Sequence, residues 1–312
     1  MVTPHDRIYL AGHRGMVGHA IQRALDTRGL SDNLITRTST QLDLRNQSAV
    51  GDLFASEKPD IVILAAARVG GILANAESPA DFLYDNLAIA SNVIHAAHQA
   101  GVRKLVNLGS SCIYPREAPQ PIPESSLLTG PLETTNRAYA IAKIAAIELC
   151  DAYRSQHGDD FVSAMPTNLY GPFDNFDPHT SHVLPALLRK AHEAKQRGDA
   201  TLEVWGSGRP KREFLHVDDV ADAILFLLEH VSAPGPINVG SGRDLSIRDL
   251  AELIAEIVGF KGELVFDPTK PDGTPRKLMD VSRLTTLGWR SKIPLREGIA
   301  ATYVWYLENV SS

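Results

Sequence analysis

The segment that most constrains this chain lies close to its N-terminus. Arg7-Ile-Tyr-Leu-Ala-Gly12 reads as a short apolar strand ending in glycine, and Met16 to Gly29 as an amphipathic helix. Gly12-His13-Arg14-Gly15-Met16-Val17-Gly18 joins them. Glycines in such a turn allow a sharp reversal, let the backbone approach a diphosphate, and let helix and strand pack closely. The helix start adds free N–H groups and a positive dipole end. A glycine triplet can also close a turn that binds nothing. Its place directly after an N-terminal strand favours a dinucleotide site, with residues 12–18 around the phosphates.

The alternation continues. Asn33–Arg37, Asp60–Ala66, Lys104–Gly109 and Phe161–Met165 read as strands, separated by helical patterns at Ala80–Ala100 and Tyr139–Gly158. Short apolar runs between longer helices imply a parallel sheet covered on both faces. After about residue 170 the pattern loosens. A polar loop at Pro172–His182 precedes helices at His182–Arg197, Val217–Glu229 and Ser246–Val258, with strands at Thr201–Trp205, Ile237–Val239 and Leu264–Phe266. Ser246 is placed to cap the last helix. The expectation is an α/β fold: a Rossmann-type doubly wound parallel sheet over residues 1–170, with a smaller α/β substrate-binding lobe over 171–312. Some later segments are expected to return to the large sheet.

The glycine spacing is Gly-x-x-Gly-x-x-Gly, and no acid stands at the end of the second strand, which reads Ile35-Thr-Arg37-Thr-Ser39. An acid there would accept from the ribose hydroxyls and repel a 2′-phosphate. Arg14 and Arg37 would attract that phosphate, so NADP(H) is preferred over NAD(H), unless Arg37 is merely a solvated arginine. Asp43 and Leu44 follow on a loop where they would meet the adenine.

Composition narrows the partners. Hydrophobic residues are 44% and charged residues 22%, an ordinary globular balance. A net charge of −6 argues against nucleic acid as the main partner. No apolar run is long enough to span a membrane, and the N-terminus lacks the apolar stretch of a secretory signal. Two cysteines, Cys112 and Cys150, make no disulfide framework, and no zinc-type spacing occurs, so no metal is expected. A reducing cytoplasm is the expected compartment.

Tyr139-Ala-Ile-Ala-Lys143 sets two side chains on one helical face. An ammonium beside the phenol would favour its ionisation and bring it nearer working pH. Tyr139 would then protonate an oxygen that gains charge as hydride arrives. Such a pair is common on amphipathic helices. The third element adds weight: Gly109-Ser110-Ser111-Cys112 follows a buried strand, where a hydroxyl points into the ligand crevice of a parallel sheet. In this order, the three elements resemble the extended short-chain dehydrogenase/reductase superfamily.

Longer runs narrow the resemblance: Ala65-Ala-Ala-Arg-Val-Gly-Gly71, Gly109-Ser-Ser-Cys-Ile-Tyr-Pro115, Met165-Pro-Thr-Asn-Leu-Tyr-Gly-Pro172, Arg212-Glu-Phe-Leu-His-Val-Asp-Asp219 and Lys270-Pro-Asp-Gly-Thr-Pro-Arg-Lys277. Over nearly the whole chain, the sequence is similar to the GDP-L-fucose synthase family, NADPH-dependent GDP-4-keto-6-deoxy-D-mannose 3,5-epimerase/4-reductases. The resemblance implies Cys112 as base and His182 as acid for inversion at C3 and C5. It also implies Ser110, Tyr139 and Lys143 for reduction at C4. It implies cofactor contacts at Leu108, Gly109, Ser110, Ser111, Lys143, Pro166, Thr167, Asn168, Leu169 and His182. Contacts to the GDP-sugar fall on Lys190, Trp205, Arg212, Asp272 and Lys277. Lys190 stands where the family usually has arginine, keeping charge but losing the fork geometry. A homodimer built through the helices near Ala80–Ala100 and Tyr139–His157 is implied as well.

Taken without the resemblance, Cys112 reads as a small core residue and Trp205 as ordinary core packing. Cys150 keeps the core reading, and His95, His98 and His216 read as structural or exposed. Two other functions compete. One is a nucleotide-sugar epimerase or dehydratase of the same superfamily with tightly held NAD, which has no need of the Cys112 and His182 pair. The other is a dinucleotide-sensing protein without turnover, against which Ser110, Tyr139 and Lys143 argue.

Overall fold

The computed structural model describes residues 2–178, 180–270 and 272–311. The strands are β1 (Ile8–Ala11), β2 (Leu34–Ile35), β3 (Ile61–Leu64), β4 (Lys104–Leu108), β5 (Phe161–Pro166), β6 (Asn168–Tyr170), β7 (Thr201–Trp205), β8 (Lys211–His216), β9 (Pro236–Val239), β10 (Asp244–Ser246), β11 (Glu263–Asp267) and β12 (Arg276–Lys277). The helices are α1 (Met16–Thr27), α2 (Gln47–Glu57), α3 (Ile72–Glu77), α4 (Pro79–Gln99), α5 (Arg137–His157), α6 (Val183–Arg197), α7 (Val217–His230), α8 (Ile247–Val258), α9 (Ser282–Thr286) and α10 (Leu295–Asn309).

The large sheet runs β2-β1-β3-β4-β5-β9, every pair parallel. Its central strands are buried along their whole length, which explains their unbroken apolar runs. Alternate residues of β1 face opposite cores. Ile8 and Leu10 pack with α1 and α7, while Tyr9 and Ala11 pack with α2, α4 and α5. The strand at Asn33–Arg37 contracts to Leu34–Ile35, because only this pair matches the register of Ile8 and Tyr9.

Beyond residue 170 the chain divides its loyalties. α7, β9 and α9 return to the large sheet, and the remaining elements build the second lobe. There β8 pairs antiparallel with β10 and parallel with β12 and β6, while β7 and β11 pair separately. α6, α8 and α10 gather a second core around Leu188, Leu250 and Ile299. Ser246 caps α8 with a reciprocal Asp249 capping box. The sequence pattern missed α2, α3, α9, α10, β6, β8, β10 and β12. The four strands are short or polar, and α10 shows little apolar periodicity because Val304 and Leu307 face outward.

This arrangement places the turns after β1, β3, β4 and β5 at one sheet edge, beneath the second lobe. The crevice at the C-terminal ends of parallel strands is where such folds hold ligands.

Candidate active site

The nucleotide end is set by glycines of two kinds. Gly12 has φ of +90, and a Cβ there would come within 2.6 Å of the Ala66 amide nitrogen. A Cβ on Gly18 would lie 2.2 Å from the Gly12 carbonyl oxygen. The fold itself therefore demands glycine at both. Gly15 differs: its φ is −79, and an added Cβ would meet only the Gly12 oxygen, at an ordinary 3.5 Å. Its smallness answers to something outside the chain, and the space above it is the cradle a diphosphate needs. Gly15 also caps α1 without any side-chain cap, leaving the first-turn amides of Met16, Val17 and Gly18 open to an anion. His13 keeps a buried Nδ1 without a partner at the same turn. These features fit a dinucleotide.

Arg37 is partly exposed and paired. Its guanidinium donates to Glu57 Oε1 at 2.5 Å and to the Thr36 carbonyl at 2.8 Å, which fixes it at the end of β2. Arg14 is exposed at the glycine turn. Asp43 is drawn to Arg45, accepting from its Nε at 2.9 Å and from its amide at 3.0 Å. Arg45 also reaches Asp85 at 3.1 Å. The Asp43 carboxylate expected to face adenine is thus largely engaged, because an arginine two residues on closes a local ion pair. The carbonyl of Leu44 accepts from Asn92 at 2.9 Å.

At the end of β4, a Cβ on Gly109 would lie 2.1 Å from Met165 Cε, so a larger residue there would displace the Met165 side chain. Ser110 is extended and opens the short 3-10 turn Ser111–Ile113, its hydroxyl accepting from the Cys112 amide at 3.4 Å. Ser111 and Cys112 are buried. From α5, Lys143 donates to the Leu108 carbonyl at 2.7 Å and stands 5.7 Å from the centroid of the Tyr139 ring. Lys143 therefore spans the strand end and the phenol.

The electrostatics reverse one expectation. Lys143 was expected to acidify Tyr139. Burial instead pushes the phenol up, Cys112 pushes it the same way, and only the Ser110 hydroxyl opposes. Burial also brings Lys143 down to about 8. Desolvation outweighs the charge pairing. Tyr139 consequently carries its proton at neutral pH, and the lysine is the group whose proton is loosened.

Cys112 and His182 share a neighbour. Burial pushes the Cys112 thiol up, and Lys277 is the first charge to oppose it, followed by Ser110 and Lys143. His182 sits at the N-cap of α6 without capping it, and the residue is exposed. Surrounding protein atoms and then Lys277 hold its imidazole below the ordinary histidine range. Lys277 itself, on β12, lies opposite Arg212 of β8. Burial lowers its pKa, and Cys112 raises it. One ammonium thus links the cysteine, the histidine and the arginine. A cavity of about 50 Å³ opens here, lined among others by Cys112, Lys277, Asn136, Glu133 and Gln120.

The remaining sugar-nucleotide candidates lie in the second lobe. Burial lowers the pKa of Arg212, and Asp272 opposes it. Asp272 accepts from the Ser207 amide at 2.7 Å and from its hydroxyl at 2.8 Å, which pins the Gly206–Gly208 turn. Trp205 is 51% exposed, so it is not a core residue. Its indole N–H donates to Glu203 at 3.0 Å, and Lys190 and Lys270 stand 4.8 and 5.3 Å from its ring centroid. Lys190 therefore offers a point charge on an aromatic face.

Pro166 ends β5, and Thr167, Asn168 and Leu169 carry the chain into the second lobe. Asn168 donates to the Glu213 carbonyl at 2.7 Å. Glu213 is a residue that side-chain reasoning missed. It is fully buried and accepts from the amides of Gly242 at 2.7 Å and Met279 at 3.0 Å, tying β8 to the strands on either side. Asn136, Glu133 and Gln120 were also missed, since no motif marks them, and Lys270 was quoted only as the start of the run that ends at Lys277. Cys150 is buried in the α5 core, His98 pairs with Asp159 at 2.6 Å, and His216 caps α7.

A doubly wound parallel sheet with a glycine cradle at its first turn defines the class: a Rossmann-type dinucleotide enzyme of short-chain dehydrogenase architecture. The chain belongs to the NAD dependent epimerase/dehydratase family, whose match covers residues 8–240. It is 61% identical to a putative GDP-L-fucose synthase 2 of Arabidopsis thaliana, over 99% of this chain and 94% of that one. It is 57% identical to a GDP-L-fucose synthase of Escherichia coli (strain K12), over 97% of each. A solved GDP-L-fucose synthetase of Naegleria fowleri bound to NADP superposes with a TM-score of 0.91 at 30% identity, over 100% of this chain and 97% of that one.

Proposed function

We propose that this chain converts GDP-4-keto-6-deoxy-D-mannose to GDP-L-fucose, by inversion at C3 and C5 followed by NADPH-dependent reduction at C4. The observation that carries the reading is the convergence of two proton-handling sets on one cleft, Cys112 and His182 about Lys277, and Ser110, Tyr139 and Lys143 beside them. A bound NADPH supplies the hydride for the reduction. Gly12–Gly18 would hold its diphosphate, Arg14 and Arg37 its 2′-phosphate, and Pro166–Leu169 its nicotinamide end.

The C4 ketone acidifies the hydrogens on C3 and C5. Cys112 as thiolate removes a proton from one face, and His182 as imidazolium returns one to the other. Ser110 and Tyr139 donate hydrogen bonds to the C4 oxygen, where charge collects. Tyr139 then gives that oxygen its proton as the reduction proceeds. Lys143 orients the phenol and carries the proton next in line. Lys190, Trp205, Arg212, Asp272 and Lys277 hold the GDP-sugar.

No helix of the described residues is long and apolar enough to cross a membrane. We read the protein as a cytoplasmic homodimer, because α4 and α5 pack side by side and turn Tyr84 (67% exposed) and Ile141 (38%) outward. Residues 1–170 with α7, β9 and α9 act as the NADP-binding half, and the rest of 171–312 as the substrate-binding half.

The test is incubation with GDP-4-keto-6-deoxy-mannose and NADPH, with product identification. NADPH oxidation yielding GDP-L-fucose is the expected result. Absence of NADPH consumption at high enzyme concentration would sink the proposal.

A further inference from the structure

Among the described residues, Asn46, Ser78, Asn136 and Ser246 are capping-type residues at helix starts, and Ser78 and Asn136 make no side-chain cap. Asn46 accepts from the Ala49 amide at 3.1 Å and caps α2, and Ser246 accepts from the Asp249 amide at 3.0 Å and caps α8. Asn136 holds the same position at the start of α5, yet it makes no side-chain cap. Asparagine is among the strongest capping residues because its Oδ1 satisfies an orphan amide. Here Oδ1 is buried without any hydrogen-bond partner. A buried acceptor left unpaired is unfavourable, and this one belongs to a residue of the active-site cavity wall, where a bound group could satisfy it. Asn136 lines the same cavity as Cys112 and Lys277, and it precedes Tyr139 by less than one helical turn.

The chemistry of the substrate, taken from the function proposed above, limits what that group is. A 4-keto-6-deoxyhexose linked through C1 and closed through the C5 oxygen has free hydroxyls only at C2 and C3. The C3 hydroxyl changes face when C3 is inverted, so a fixed amide cannot hold it in both configurations. The C2 hydroxyl keeps its configuration throughout. We infer that Asn136 Oδ1 accepts a hydrogen bond from the C2 hydroxyl of the sugar, making Asn136 a specificity-determining residue that anchors the ring while C3 and C5 are inverted. Its rigidity suits the task. It sits at the end of the helix that carries Tyr139 and Lys143, so the anchor and the proton donor move as one body.

The experiment compares wild type, Asn136→Ala and Asn136→Asp on GDP-4-keto-6-deoxy-mannose and on its 2-deoxy analogue, with NADPH affinity measured in parallel. Asn136→Ala should lose about 10- to 100-fold in kcat/KM on the natural sugar. It should lose less than about 3-fold on the analogue, where the bond is already missing. NADPH affinity should be unchanged, which separates the effect from misfolding. Asn136→Asp keeps an acceptor oxygen and should retain the preference for the hydroxylated sugar. Equal losses on both sugars, or no loss on either, would overturn the assignment while leaving the proposed function standing. A wild type that turns over neither sugar would overturn both.

Discussion

The glycine turn after β1 and the paired strands β8 and β12 perform similar work by opposite means. Both face the crevice and both are suited to anionic ligands. The turn does it with backbone: two glycines required by the fold, one left open, and an uncapped helix start. The strands do it with side chains, bringing Arg212 and Lys277 into register although they are far apart in sequence. The backbone solution is rigid and tolerates no added atom. The side-chain solution is tunable, because Lys277 also lowers the pKa of Cys112 and of His182, against burial at the cysteine and with burial at the histidine.

The largest effect expected from breaking this contrast is on the turn. Gly18→Ala would place a Cβ 2.2 Å from a carbonyl oxygen of the same turn, and no side-chain rotation relieves a backbone contact. Overpacking of this kind costs about 1–3 kcal/mol or more, and the turn must open to accommodate it. NADPH affinity should fall by about 100-fold or more, read by fluorescence titration, with GDP-sugar binding little changed. Unaltered NADPH affinity would contradict the claim that turn geometry, not side chains, builds this subsite.

A smaller and more particular effect is expected on the strands. The proposed inversion needs thiolate at Cys112 and imidazolium at His182. Burial raises the thiol and lowers the imidazole, so the acid limb of the pH profile follows His182 and the basic limb follows Cys112. Lys277 lowers both groups. Lys277→Met should therefore let both rise and move the whole bell to higher pH, measured as solvent-deuterium exchange at saturating sugar. A bell that keeps its position while KM rises would reduce Lys277 to a binding residue.

The same contrast explains what the sequence could disclose. The large sheet was legible because strands buried on both faces must be continuous apolar runs, and the glycine turn because its chemistry is local. Tyr139 and Lys143 were legible as a spacing, but their electrostatics were not. Spacing says that two groups are near, not that burial will outweigh their attraction. β8 and β12 carry consecutive charged residues in short segments, and the region is tied together by Glu213, whose buried carboxylate accepts from the Ser241–Gly242 turn and from Met279. Nothing in the local pattern marks Glu213 as buried. Asn136 was illegible for a similar reason: an asparagine before a helix reads as a cap, and only the structure reveals that it declines the role.

The central claim is that one cleft holds two separable proton-handling sets, with Cys112 and His182 acting before Tyr139. The most direct measurement is solvent-deuterium incorporation at C3 and C5 beside NADPH oxidation, for wild type, Cys112→Ser and Tyr139→Phe. Tyr139→Phe should lose about 10²–10⁴-fold in NADPH oxidation while still exchanging deuterium. Cys112→Ser should exchange none yet bind NADPH normally. Exchange at the wild-type rate in Cys112→Ser, or normal reduction in Tyr139→Phe, would contradict the account.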